Sequence, residues 1–156
     1  HKVDPNRLEV TQAATATRDG LGMGEGLYCG QHTEVVISRV FIDTSGTAYY
    51  SDAVDDCYAR GVIKGITENR FGPNQSLTRG MLVTMLYRYA GEPDGAADLS
   101  AYTDAGAVSA YAEKAVQWCV KNGILTGKTS STLAPKATAT RAECAAMLQR
   151  FASLTK

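Results

Sequence analysis

Apolar residues recur at helical spacing in four short stretches of the chain. Ala53, Val54, Cys57 and Tyr58 fall at i, i+1, i+4 and i+5, which places them on one side of a helix. Ala115, Val116, Cys119 and Val120 make the same stripe further on. Met81, Leu82, Met85, Leu86 and Tyr89 make another, and Cys144, Met147, Leu148 and Phe151 a fourth. The spacing predicts a helix through each stretch, with its apolar face in the core. Gly61 and Gly123 stand where a left-handed residue ends a helix, and Val62 and Ile124 follow to close a hydrophobic contact back onto it. The turn-rich stretches 65–76 and 127–136 come next, each with a single Pro. Thr78 and Thr140 then open the second helices. Thr140-Arg141-Ala142-Glu143 is a capping box, whereas Thr78-Arg79-Gly80-Met81 keeps the cap and lacks the Glu.

These elements are two copies of one unit. Phe41-Ile42-Asp43 answers Tyr102-Thr103-Asp104, and Tyr50 answers Tyr111, both 61 residues later. After one inserted residue the offset is 62. It joins Ala53-Val54 to Ala115-Val116, Cys57 to Cys119, Gly61-Val62-Ile63 to Gly123-Ile124-Leu125, and Gly65 to Gly127. It continues from Phe71-Gly72-Pro73 to Leu133-Ala134-Pro135, from Thr78-Arg79 to Thr140-Arg141, and from Met85-Leu86 and Arg88 to Met147-Leu148 and Arg150. A helix–loop–helix unit of this size cannot bury its stripes alone, so the copies pack on each other or on something else. The expected organisation is a mainly α protein. An N-terminal segment, 1–40, precedes a first repeat, 41–92, and a second, 93–156, and all four apolar faces meet in one core.

Residues 1–40 do not follow the repeat. Leu8-Glu9-Val10-Thr11 and Glu34-Val35-Val36-Ile37 are rich in β-branched residues and read as two strands around a Gly-rich loop. Thr17-Arg18-Asp19 imitates the helix starts, but Gly20, Gly22, Gly24 and Gly26 would not sustain a helix. With no helix after it, the loop is a weak match to a phosphate cradle. Cys29-Gly30-Gln31-His32 holds a thiol and an imidazole with no third group to orient them, and reads as a turn.

Composition narrows the function. Sixteen Lys and Arg offset sixteen Asp and Glu in 156 residues. Zero net charge argues against binding nucleic acid by general attraction and against a polybasic membrane anchor. No apolar run approaches the ~18 residues that cross a bilayer. The start, His1-Lys2-Val3-Asp4-Pro5, is no signal peptide and is expected to come from processing or trimming. Cys29, Cys57, Cys119 and Cys144 contain no C-x-x-C pair, which leaves zinc little support. They read first as small buried apolar residues, with two disulfides as the alternative.

Phe41-x-Asp43 with Tyr49-Tyr50, Ala53-Val54, Gly61-Val62-Ile63-x-Gly65, Phe71-x-Pro73, Thr78-Arg79 and Met85-Leu86-x-Arg88 resembles an S-layer homology domain. Tyr102-x-Asp104, Ala115-Val116, Gly123-Ile124-Leu125-x-Gly127, Pro135 and Thr140-Arg141-Ala142-Glu143 resemble a second. The resemblance covers residues 41 to 152, with Gly80-Met81 standing where Ala-Glu is usual. It implies a secreted bacterial protein held non-covalently on the cell wall by a secondary cell-wall polysaccharide, often one with pyruvylated sugars. It also implies a pseudo-threefold bundle of three repeats with ligand grooves between neighbours. Two repeats leave one flank open, to be covered by residues 1–40 or by another chain, the tethered segment being the nearer.

A charged sugar calls for a fixed guanidinium, and Arg79 and Arg141 lie in first helical turns where N–H groups also favour an anion. Tyr50, Tyr111 and Trp118 offer plates for a sugar ring, and Asp43 and Asp104 offer acceptors for its hydroxyls. Each has a structural alternative: the aspartates as braces, the arginines as their ion-pair partners, Trp118 as core. The expected function is a non-catalytic wall-binding module with no cofactor and no metal. The alternative is an extracellular interaction or assembly module on the same scaffold, with a protein partner or a second copy.

Overall fold

The computed structural model describes residues 40–154 and the backbone of two strands, β1 (Val10–Thr15) and β2 (His32–Ile37). The strands pair antiparallel, with Val10 opposite Ile37 and Thr15 opposite His32. The Thr17-Arg18 imitation, the Gly-rich loop and Cys29 lie outside the described residues, as does the rest of the segment expected to cover an open flank.

The repeats supply four helices: α1 (Ser51–Ala59), α2 (Arg79–Tyr89), α3 (Glu113–Lys121) and α4 (Arg141–Leu154). Each first helix stops at its glycine. Gly61 has φ +72°, Val62 N–H donates to Cys57 C=O at 2.9 Å, and Gly61 N–H donates to Tyr58 C=O. Gly123 has φ +67° with the same two bonds, Ile124 to Cys119 and Gly123 to Val120. This paired pattern satisfies carbonyls that a helix end otherwise leaves orphaned. The second helices start as their caps require. Thr78 Oγ1 accepts from Met81 N–H at 3.2 Å, and Thr140 and Glu143 exchange both bonds of a capping box. Two short 3-10 turns, Ala105–Ala107 and Ala110–Ala112, lead into α3.

The core forms two clusters rather than the single one expected. In the larger, Leu82, Val83, Leu86 and Tyr87 of α2 meet Ala115, Val116, Trp118 and Cys119 of α3, together with Leu133, Met147 and Phe151. Trp118 sits between Tyr87 and Phe151, with ring centroids 5.8 and 6.5 Å away. The smaller gathers Phe41, Val54 of α1, Val62 and Ile63, and Phe41 meets Tyr58 edge-on at 5.2 Å. Met85 of α2 packs against the smaller cluster, so α2 touches both. The split follows from how the repeats dock: α2 of the first turns its main face to α3 of the second, leaving α1 a separate nucleus around Phe41.

The docking runs head to tail. Arg79 N–H donates to Ala137 C=O and Gly80 N–H to Pro135 C=O, both at 2.9 Å, beside a bridge between Thr78 and Thr138. A Cβ at position 80 would stand 3.1 Å from the Pro135 oxygen. An alanine there, as at Ala142 in the second repeat, would require the Pro135 backbone to give by a few tenths of an ångström.

Candidate functional site

Two grooves occupy corresponding places in the repeats. Lys64, Gly65, Ile66, Met81, Met85 and Arg88 line the first, a cavity of about 360 Å³. Their counterparts 62 residues on, Thr126, Gly127, Lys128, Glu143, Met147 and Arg150, line the second, of about 390 Å³. Arg79 crosses from the first repeat to complete the second groove.

Arg79 has 3% of its surface exposed, and its guanidinium is held on three sides. Nε donates to Leu133 C=O at 3.0 Å, one terminal nitrogen to Thr126 C=O at 2.7 Å, and the other to Glu143 Oε1 at 2.9 Å. A guanidinium spreads five donors over three nitrogens, so it can reach three acceptors that lie too far apart for the single nitrogen of an ammonium. The other oxygen of Glu143 accepts from Thr140 N–H at 2.8 Å, and Lys128 Nζ stands 3.6 Å from Oε1. The Thr140 N–H, with Arg79 and Lys128 beside it, holds the Glu143 carboxyl below the usual range. Arg150 donates to Ile124 C=O at 3.3 Å and to Thr126 Oγ1 at 3.2 Å. The second groove is therefore lined by three cations and one ionised carboxylate, which pairs with Arg79 and Lys128.

The two aspartates do matching work. Asp43 accepts from the N–H groups of Phe71 and Gly72 at 2.8 and 2.9 Å. Asp104 accepts from those of Leu133 and Ala134 at 2.8 and 2.7 Å. In each case the first of these bonds is the main reason the carboxyl titrates below its ordinary value. Both carboxylates thus tie the start of a repeat to the loop that walls its groove.

The remaining expected site residues are dispersed. Trp118 is 9% exposed within the larger core. Tyr50 is half-buried against the smaller cluster and meets the ring of the exposed Tyr49 at 5.2 Å. Tyr111, 55% exposed, reaches from the second repeat to the mouth of the first groove. Arg141 is exposed on the first turn of α4 and lines neither groove. The structure adds Lys64, Arg88, Lys128, Glu143 and Arg150 to the groove linings. The matching of Arg88 to Arg150 across the repeat was the signal for two of them. Cys57, Cys119 and Cys144 are free thiols, and burial pushes Cys119 up to about 12, which leaves it protonated and inert. Among the described residues no helix is long and apolar enough to cross a membrane.

Residues 41–80 and 101–145 match the S-layer homology domain, more than half of the chain. The chain belongs to the S-layer homology domain family. Similar proteins include the surface-layer 125 kDa protein of Lysinibacillus sphaericus, 32% identical over 113 residues, covering 70% of this chain and 10% of that protein. The exoglucanase XynX of Acetivibrio thermocellus is 34% identical over 115 residues, covering 69% of this chain and 10% of the enzyme. The amylopullulanase of Thermoanaerobacterium thermosulfurigenes is 33% identical over 118 residues, covering 71% and 6%. The chain spans a tenth or less of these relatives, and the enzymes among them match only over the S-layer homology region. What this chain shares with them is a non-catalytic anchoring module of the cell surface.

Proposed function

We propose that this S-layer homology module holds a secreted bacterial protein on the cell wall by binding an anionic secondary wall polysaccharide, of the pyruvylated type, in the second groove. The observation that carries the reading is the set of three cations, Arg79, Lys128 and Arg150, that lines this groove with the single carboxylate of Glu143. Arg79 has a protein acceptor on each of its three nitrogens, so it fixes the groove and sets its field. Lys128 and Arg150 stand closer to solvent and are the groups an incoming carboxylate meets, Arg150 through a fork and Lys128 as a point charge. Asp43 and Asp104 hold the groove walls, and Tyr111 offers a ring face at the neighbouring groove.

The test is sedimentation with purified sacculi. Lys128→Gln with Arg150→Gln should reduce the bound fraction tenfold or more while leaving the melting temperature within a few degrees of wild type. Stripping the polysaccharide from the sacculi should abolish binding of the unaltered chain. Binding that survives stripping would reject the polysaccharide and favour a protein partner on the wall.

A further inference from the structure

We propose that the first groove is a second site of different chemistry, which takes a small organic anion carrying an apolar body. The two grooves have diverged at the positions that set their polarity. Where the second groove has Lys128 and Glu143, the first has Ile66 and Met81. Phe71, Leu77 and Met85 extend that apolar wall, and the exposed ring of Tyr111 stands at its mouth.

The charge balance differs as well. The lining of the first groove holds two cations, Lys64 and Arg88, and no carboxylate. In the second groove Glu143 pairs with Arg79 and Lys128, and Arg150 donates to Thr126 Oγ1. The counterpart of Thr126 is Lys64, which has no side-chain oxygen to offer, and among the described residues Arg88 forms no ion pair. A half-buried guanidinium beside apolar walls attracts an anion more strongly than one in open water. A purely polar anion would pair with Arg88 but leave Ile66 and Met81 uncovered, and a neutral apolar molecule would cover them but leave Arg88 uncompensated. An anion attached to an apolar body satisfies both requirements. Its source is either a substituent on the wall polymer or a free amphipathic acid.

Octanoate is the probe, followed on the full chain by amide NMR shifts, with 1-octanol and acetate as its halves. Octanoate should shift Gly65, Gly72, Met81 and Arg88 saturably, and each half should bind at least tenfold more weakly. Met81→Glu and Arg88→Gln should each weaken octanoate tenfold or more, with resonances away from the groove unchanged. Equal shifts at Gly127 and Glu143, equal binding of octanol, or an unchanged affinity in the Met81→Glu chain would overturn the proposal. Polymer fragments from sacculi that displace octanoate place the anion on the wall polymer. Octanoate that binds undisplaced points to a free acid. The titration needs no cell wall, so its failure leaves the wall-anchor reading standing, and loss of sacculus binding does not touch it.

Discussion

Asp104 carries a role that depends on both oxygens. It accepts from Leu133 and Ala134, and these bonds favour the ionised form. A carboxyl held below its unfolded value stabilises the fold fully above that value, and the contribution is lost as pH falls through the folded one. Asp104→Asn should therefore melt several degrees lower at pH 7, and the gap from wild type should close below about pH 4. Thermal melts across pH 2 to 7 check this; a gap that stays constant into acid would mean the bonds do not depend on ionisation. Arg79 makes a sharper case. Its removal leaves Glu143 and two carbonyls without their donor in a buried place, so Arg79→Ala should cost ~3 kcal/mol, and Arg79→Lys should recover little of it. Denaturant unfolding decides. The sequence showed both residues as repeat landmarks, yet their work stayed ambiguous. Asp43 and Asp104 find their partners in loops 28 to 30 residues on, and no local pattern distinguishes a loop brace from a sugar ligand.

The helices were legible because periodicity, caps and end glycines agree about them. Thr140 and Glu143 close the capping box, and Gly61 and Gly123 stop α1 and α3. The 3-10 turns Ala105–Ala107 and Ala110–Ala112 were not, since three residues, Ala-Gly-Ala or Ala-Tyr-Ala, are too few to carry a periodic signal. Nor was the close approach of Gly80 to Pro135 of the other repeat. Gly65 shows how local geometry shapes a groove. It has φ +76°, and a Cβ there would come within 2.5 Å of both the Arg70 oxygen and the Phe41 ring. Gly65→Ala should thus cost at least ~2 kcal/mol, above the ordinary penalty for losing a left-handed glycine, because the small hairpin around Thr67 and Arg70 must open. Gly106→Ala is the control, since open space surrounds it and its φ is ordinary. Equal melting temperatures for the two variants would show that the loop yields without resistance.

At the scale of the molecule, head-to-tail docking makes equivalent residues unequal. α2 presents Leu82, Val83 and Leu86 to α3, and there Leu86 is only 7% exposed. The same position on α4 is Leu148, which is 50% exposed. A repeat pattern read from sequence gives both leucines the same core role. It cannot show which of two identical faces the docking leaves open, because that depends on how many units close the arrangement. Leu86→Ala should cost ~3 kcal/mol, the transfer of a buried side chain plus the cavity left behind. Leu148→Ala should cost less than ~1 kcal/mol, since half its surface already meets solvent. The pair of variants also reports on coverage. If residues 1–40 or another chain lie over α4 in solution, Leu148 becomes as buried as Leu86 and its truncation becomes comparably costly. Unfolding of both variants over a hundredfold range of protein concentration separates the cases. A small, concentration-independent cost leaves α4 open. A large cost that is independent of concentration places a tethered segment on it, and one that changes with concentration places a second chain there.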